Sequence, residues 1–270
     1  MRIEQISGNI GAEISDINLA SVTDHEVEEI KKAWLDHKVL VYRNQHITVE
    51  EHIAFGRKFG ELEIHPFARG GHVGLGEYPE ILRITSNLEK EFAAVIWHSD
   101  VTWREEPSLG SILRGVAIPE TGGDTMFSSL SKAYDDLSHE WKERLEEMNA
   151  IHSFEFGFKE SLEEEGGRER LADALKENPP VSHPVIKQHP VTGRKVIYVN
   201  RLFTSHIEGD DAESSILNFL FDHIHQEKYQ YRFSWENNSI AFWDNRSVLH
   251  KPVNDYWPQL RRMERITIES

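Results

Sequence analysis

The segment Trp97-His98-Ser99-Asp100 carries an imidazole and a carboxylate two residues apart. In an extended strand, residues at that spacing point to the same face, so a neutral His98 and an ionised Asp100 would share one metal ion. The same spacing also arises by chance, and both residues are then ordinary hydrogen-bonded polar groups. A second histidine, His250, closes the run Trp243-Asp244-Asn245-Arg246-Ser247-Val248-Leu249-His250, just after a predicted strand and about 150 residues beyond His98. Two histidines and one carboxylate, without a thiolate, are the donor set of the facial triad that holds non-haem Fe(II). Three ligands on one face of an octahedron leave three positions for a bidentate co-substrate and for O₂. The plain alternative for His250 is a residue that caps a strand.

The run Arg261-Arg262-Met263-Glu264-Arg265-Ile266-Thr267-Ile268 adds cations. By period two, Arg261, Met263, Arg265 and Thr267 share one face, and Arg262, Glu264, Ile266 and Ile268 the other. If the first face lines an interior, two guanidiniums sit where bare charge is costly. They then need anions, and their forked donors suit carboxylate or sulfonate. An exposed strand with surface arginines is the alternative. Gly122-Gly123-Asp124-Thr125 reads as a turn that sets the Thr125 hydroxyl against a carboxylate, or as a plain β-turn. Gly70-Gly71-His72-Val73-Gly74-Leu75-Gly76 lacks the strand–helix context of a nucleotide loop and reads as a flexible lid. His223 and His225 diverge on a predicted helix and do not chelate together. Glu163-Glu164-Glu165 reads as a solvated helix face, and the tryptophans mostly as core.

Groups so far apart in sequence must be brought together by long-range pairing. Thr23-Asp24-His25-Glu26 and Thr48-Val49-Glu50-Glu51 are capping boxes ahead of helices, the second stopped by Gly60. Val39-Leu40-Val41-Tyr42 between them is a buried strand. Residues 61–80, with His65, and 87–96 read as loops, the latter mobile. Gly110–Ile118 is a strand turned by Pro119–Gly123. Helical patterns follow near 131–148 and 160–176, the second with a break expected at Gly166-Gly167. Strands over 195–200, 229–235, 240–244 and 263–268 surround a helix near 211–227. The order lacks a βαβ rhythm and predicts a mainly β (α+β) fold, a jelly-roll barrel with helices packed outside. At 270 residues, with 39% hydrophobic and 28% charged residues, one domain spanning 1–270 is the expectation. The absence of cysteine excludes disulfides and thiolate chemistry and fits a cytoplasmic protein. A net charge of −16 argues against nucleic-acid binding. No signal-like leader and no long apolar run point to a membrane.

In this order the pieces resemble the taurine/2,4-dichlorophenoxyacetate dioxygenase family of Fe(II)- and 2-oxoglutarate-dependent oxygenases. The resemblance rests on Trp97–Thr102, Gly122–Thr125, Asn178–Val185, Tyr198–Asn200 through Phe203-Thr204, Trp243–Arg246 leading to His250, and Tyr256–Arg262. It implies a double-stranded β-helix with His98, Asp100 and His250 as iron ligands. It implies that Arg261, eleven residues after His250, grips the far carboxylate of 2-oxoglutarate with Thr125 as partner. From the taurine branch it implies that Arg265 and His65 bind the substrate's sulfonate and that Phe154 and Phe203 wall the pocket. The chain departs from that branch at Ala94 and Ala68, where the branch has an asparagine and a tyrosine. Losing two polar groups near the substrate points away from taurine and towards a more apolar sulfonate, an alkyl sulfate ester or a carboxylate.

The expected activity is hydroxylation of a small organic anion with Fe(II), 2-oxoglutarate and O₂, releasing sulfite or sulfate. Rival readings are an oxygenase of the same fold acting on an aryloxyalkanoate or an amino-acid-derived carboxylate, a non-catalytic barrel that binds a small ligand, and zinc-assisted hydrolysis in the same triad. A homo-oligomer, dimer or tetramer, is the expected assembly.

Overall fold

The computed structural model describes residues 1–69, 74–87, 96–209 and 215–270. Its strands, in chain order, are β1 (Arg2–Gln5), β2 (Ala12–Ser15), β3 (Val39–Tyr42), β4 (Gly74–Leu75), β5 (Tyr78–Ser86), β6 (Gly110–Ala117), β7 (Thr125–Ser129) and β8 (Asn149–His152). They continue as β9 (Val181–Pro184), β10 (Ile186–Gln188), β11 (Lys195–Ile197), β12 (Thr204–Ile207), β13 (Gln230–Phe233), β14 (Ile240–Asp244), β15 (Val248–Pro252) and β16 (Arg261–Ile268). Eight form one sheet in the order β1-β2-β3-β14-β6-β16-β5-β4, and β13-β7-β15 form a second. β12-β8-β9 and β10-β11 make two smaller sheets. The mainly β architecture with helices outside agrees with the expectation.

Burial on both faces explains why the central strands read as unbroken apolar runs. Val39, Val41, Leu113, Ala241, Trp243 and Met263 of the large sheet pack against Phe127, Phe233 and Val248 of the second sheet. On the opposite face, Leu40, Tyr42, Ile112, Ile240 and Phe242 pack under Trp34 and Phe55. Those two aromatic residues belong to the helices Asp24–His37 and Val49–Arg57, whose capping boxes on Thr23 and Thr48 both form. Trp34 stacks on Phe242 with centroids 4.5 Å apart. The two helices thereby cover the rear face of the large sheet, whose opposite face includes Met263 of β16.

Several elements differ from expectation for physical reasons. The 61–80 stretch is not a loop: it holds the turn of helix Pro66–Arg69, β4 and the start of β5. β5 is half-buried along most of its length and contains Pro79, which masks the alternation of a strand. Gly60 does not end the second helix, which stops at Arg57. Its missing side chain serves packing, since a Cβ there would lie 2.9 Å from Ile268 Cγ2. The helical stretch 131–148 is two helices, Leu130–Asp135 and His139–Glu146, the second capped by Ser138. The 160–176 stretch breaks at Gly166, as expected, where φ is +69°. The predicted helix 211–227 spans Ser215–Ile224. Most of the glycine-rich lid (residues 70–73) and of the 87–96 loop (residues 88–95, with Ala94) lies outside the described residues.

Candidate metal and co-substrate site

Between the two main sheets lies a cavity of about 50 Å³ lined by Ile84, His98, Leu113, Thr125, Trp243, His250, Pro252, Arg261 and Arg265. His98 is not part of a strand. It makes an isolated bridge to His250 of β15, with His98 N donating to His250 O at 3.0 Å and His250 N to His98 O at 2.7 Å. This reciprocal pair brings the two rings to a centroid separation of 4.1 Å. Asp100 lies in a turn rather than in the strand that the sequence suggested. The chain reverses there at Val101, whose φ of +60° is strained for a β-branched residue. Such strain persists where surrounding packing over-determines it, and Val101 is buried against Trp103, Phe154 and Phe203.

The three donors come within 4.8 Å of one another. His98 Nδ1 lies 2.7 Å from the Ile96 carbonyl. A carbonyl only accepts, so Nδ1 carries the proton and Nε2 presents its lone pair, 3.8 Å from Asp100 Oδ1. Burial pushes both imidazoles below their usual range, His250 the further. Burial alone would raise the Asp100 carboxyl, but Arg265, His250, His98 and the Ser111 hydroxyl together hold it below the usual carboxylate range. Two neutral imidazoles beside a carboxylate are already in the protonation state a divalent ion needs.

Arg261 and Arg265 of β16 face this cavity, as the period-two reading required. Arg265 donates through Nη1 to Asp100 Oδ1 at 2.6 Å, and its Nε is buried without a partner. Arg261 donates through Nε to Gly123 O at 3.0 Å, while its Nη2 is buried and unpaired. A buried guanidinium edge with no acceptor is a seat for an anion. The turn beside it needs both glycines. Gly122 and Gly123 have φ of +78° and +73°, and a Cβ on Gly123 would lie 3.1 Å from Arg261 Cδ and Nε. Thr125 Oγ1 accepts from Trp235 Nε1 at 2.9 Å, so its own proton stays available to an anion. Thr125 and Arg261 share the cavity wall without bonding to each other.

On the other side of His98, Phe203 packs edge-on with centroids 6.3 Å apart. Phe203 meets Trp103 at 4.5 Å, and Trp103 meets Phe154 at 5.6 Å. His65 joins this wall through Phe67, Trp103 and Phe158. Its Nδ1 accepts from Phe67 N at 3.3 Å, which leaves Nε2 as the donor. Burial and the neighbouring Arg265 push its pKa down to about 3. All nine residues singled out in the sequence therefore belong to two adjoining regions. Trp103 and Phe158 were missed as wall residues; the tryptophan stands three positions after Asp100, a signal obscured by reading tryptophans as core. Ser111 and Trp235, which hydrogen-bond Asp100 and Thr125, and the role of Asn245, which bonds Ser111, were also missed.

Residues 2–267 match the family described as taurine catabolism dioxygenase TauD, TfdA. An alkylsulfatase of Acinetobacter baylyi is 35% identical over 275 residues, covering 99% of this chain and 84% of that protein. An alpha-ketoglutarate-dependent 2,4-dichlorophenoxyacetate dioxygenase of a Burkholderia species is 31% identical over 247 residues, covering 84% of this chain and 80% of that protein. The crystal structure of a taurine dioxygenase from Burkholderia xenovorans aligns with a TM-score of 0.84 at 31% identity, covering 100% of this chain and 89% of that one.

Proposed function

The chain belongs to the taurine catabolism dioxygenase TauD, TfdA family and is a 2-oxoglutarate-dependent dioxygenase, and from that premise we propose that it oxidises an alkyl sulfate ester or an apolar sulfonate. The observation that carries this reading is the buried Arg265 guanidinium, which bonds Asp100 of the His98–Asp100–His250 cluster and neighbours His65, itself packed in the aromatic wall. An anionic head and an apolar tail would find their partners on opposite sides of one site. The alkylsulfatase relative favours the sulfate ester.

In this reading the two main sheets are the facing halves of a double-stranded β-helix, and residues 1–270 act as one dioxygenase domain. His98, Asp100 and His250 would hold Fe(II); the neutral imidazoles, the ionised carboxylate and the free Nε2 of His98 fit it. When bound, the iron, with 2-oxoglutarate and O₂, supplies the oxidising power for C–H hydroxylation, and 2-oxoglutarate leaves as succinate and CO₂. Arg261 and the Thr125 hydroxyl bind the distal carboxylate of 2-oxoglutarate, filling the unpaired Nη2. Arg265 and the Nε2–H of His65 orient the substrate anion. Phe154 and Phe203, with Trp103, exclude water and align the chain carbon beside the anion. Hydroxylation of that carbon gives a hemiacetal sulfate, which collapses to an aldehyde and sulfate; a sulfonate would give an aldehyde and sulfite.

Anaerobic addition of Fe(II) and 2-oxoglutarate to the apoprotein should produce the weak visible charge-transfer band of the chelate. With O₂, medium-chain alkyl sulfates should release sulfate in step with succinate. Phenol release from an aryloxyacetate at higher efficiency than sulfate release would replace this reading by the carboxylate one. Folded protein without the band would end the oxygenase assignment.

A further inference from the structure

Asn245 is fully buried just beyond β14, and its side chain and carbonyl are linked by hydrogen bonds to the neighbours of the metal donors. Trp243 Nε1 donates to its Oδ1 at 2.8 Å. An indole N–H is donor-only, so this bond fixes which end of the amide is oxygen. The NH₂ end donates to Ser111 Oγ and to Ser108 Oγ, each at 2.9 Å. Ser111 Oγ, having accepted, sends its single proton to Asp100 Oδ2 at 2.7 Å. Ser108 Oγ likewise donates to the Asp100 carbonyl at 3.3 Å. The Asn245 carbonyl accepts from the Ser99 hydroxyl, between the two donors. The Trp243 ring also lies against His250, with centroids 4.7 Å apart.

Direction is therefore imposed along the whole chain of bonds, from Trp243 through Asn245 and Ser111 to Asp100. We propose that Asn245 is a positioning residue that, acting through Ser111, makes Asp100 a one-oxygen ligand. The tether engages Oδ2 and leaves Oδ1, which also accepts from Arg265 Nη1, as the oxygen beside His98 Nε2. A carboxylate binding through both oxygens would occupy one of the three positions needed by the co-substrate and O₂. The inference rests on the assignment of His98, Asp100 and His250 as metal donors. Neighbours that orient a ligand typically change metal affinity 10–100-fold when removed.

The test is anaerobic titration of the apoprotein with Mn(II), free ion being counted by its electron paramagnetic resonance signal. It compares wild type, Ser111→Ala, Asn245→Ala and the double variant, with each apoprotein's melting transition as the check on folding. Ser111→Ala should lose 10–100-fold in Mn(II) affinity. Asn245→Ala should weaken it in the wild-type background and by less than threefold once Ser111 is absent, because the two act in series. If Asn245→Ala does not fold, Asn245→Asp takes its place in the cycle. Wild-type affinity in Ser111→Ala overturns the proposal, and so do losses that multiply in the double variant, which would make Asn245 a scaffold acting independently. Wild-type protein that binds no Mn(II) would overturn the metal assignment itself, a different failure from either of these.

Discussion

Replacing Arg261 by alanine should separate co-substrate binding from folding, because the two effects are expected to differ in size by several kcal/mol. In the protein without 2-oxoglutarate the guanidinium is buried, makes one bond to Gly123 O and leaves Nη2 unsatisfied. Removing it forfeits that bond and its stacking over Tyr256, together about 2 kcal/mol, but also relieves the desolvation of an unpaired charge, which is of similar size. The apoprotein's melting temperature should therefore move by only a few degrees in either direction. The distal carboxylate of 2-oxoglutarate, by contrast, would lose a charge-assisted pair in a dry site. Truncating one member of a buried charged pair costs about 2–5 kcal/mol, or roughly 30- to 4,000-fold in dissociation constant. The assay is the 2-oxoglutarate dependence of the charge-transfer band under anaerobic Fe(II), alongside thermal unfolding of the apoprotein. A dissociation constant within threefold of wild type would show that Arg261 does not meet the co-substrate. A collapse of apoprotein stability would show that its burial is structural.

Gly157 lies against Phe203, and a Cβ there would fall 2.1 Å from Phe203 Cδ1. Gly157→Ala should therefore shift the Phe203 ring and raise KM for an alkyl sulfate about tenfold while leaving 2-oxoglutarate binding intact; steady-state kinetics in both substrates decide it. Burial pushes His52 and His65 down to about 3, so between pH 6.5 and 3 the unfolded chain takes up protons that the folded chain refuses. Stability should fall with pH across that window, by up to about 1.4 kcal/mol per pH unit for each histidine. Asp100, held low, adds to the same loss, but only as pH falls below its unfolded value of about 3.9. Equal melting temperatures of the metal-free protein at pH 5 and pH 7.5 would refute this.

The donor set was legible because its chemistry restricts residue type: with no cysteine in the chain, only His, Asp and Glu remained as metal donors. The β16 arginines were legible because period two is a rigid property of strands. Their partners were not. Ser111 is a small residue inside a buried strand, and nothing local marks it; its role comes from Asn245, which is 134 residues away. β5 was hidden by Pro79 and a half-buried face, although it supplies Ile84 to the cavity. His98 and Asp100 were expected on one strand face, and the turn at Val101 replaces that geometry with a strained reversal. Types and order thus survive in sequence, while turns and hydrogen-bond direction are set by packing between distant segments.

The charge at the site bears on substrate choice. His98, His250 and His65 are neutral because burial disfavours the imidazolium. Asp100 supplies one negative charge, Arg261 and Arg265 two positive ones, and nearby Glu63 is engaged by Arg104 at 2.9 Å. Adding a divalent ion brings the site to three net positive charges. Dianionic 2-oxoglutarate removes two of them, so a monoanionic substrate closes the balance in a region where residual charge is expensive. An alkyl phosphate is nearly isosteric with an alkyl sulfate but carries about −1.5 to −2 charges at pH 7, its second pKa being about 6. The excess anion faces Asp100 and the co-substrate, a like-charge juxtaposition costing several kcal/mol. At pH 7.5, kcat/KM for octyl phosphate should lie at least about a hundredfold below that for octyl sulfate. At pH 6 the gap should narrow as the monoanion becomes populated. Competition and succinate formation with the two octyl esters measure it directly. Equal efficiency at pH 7.5 would mean that the head group stays in water, outside the reach of Arg265, and the substrate pose proposed for this site would have to be abandoned.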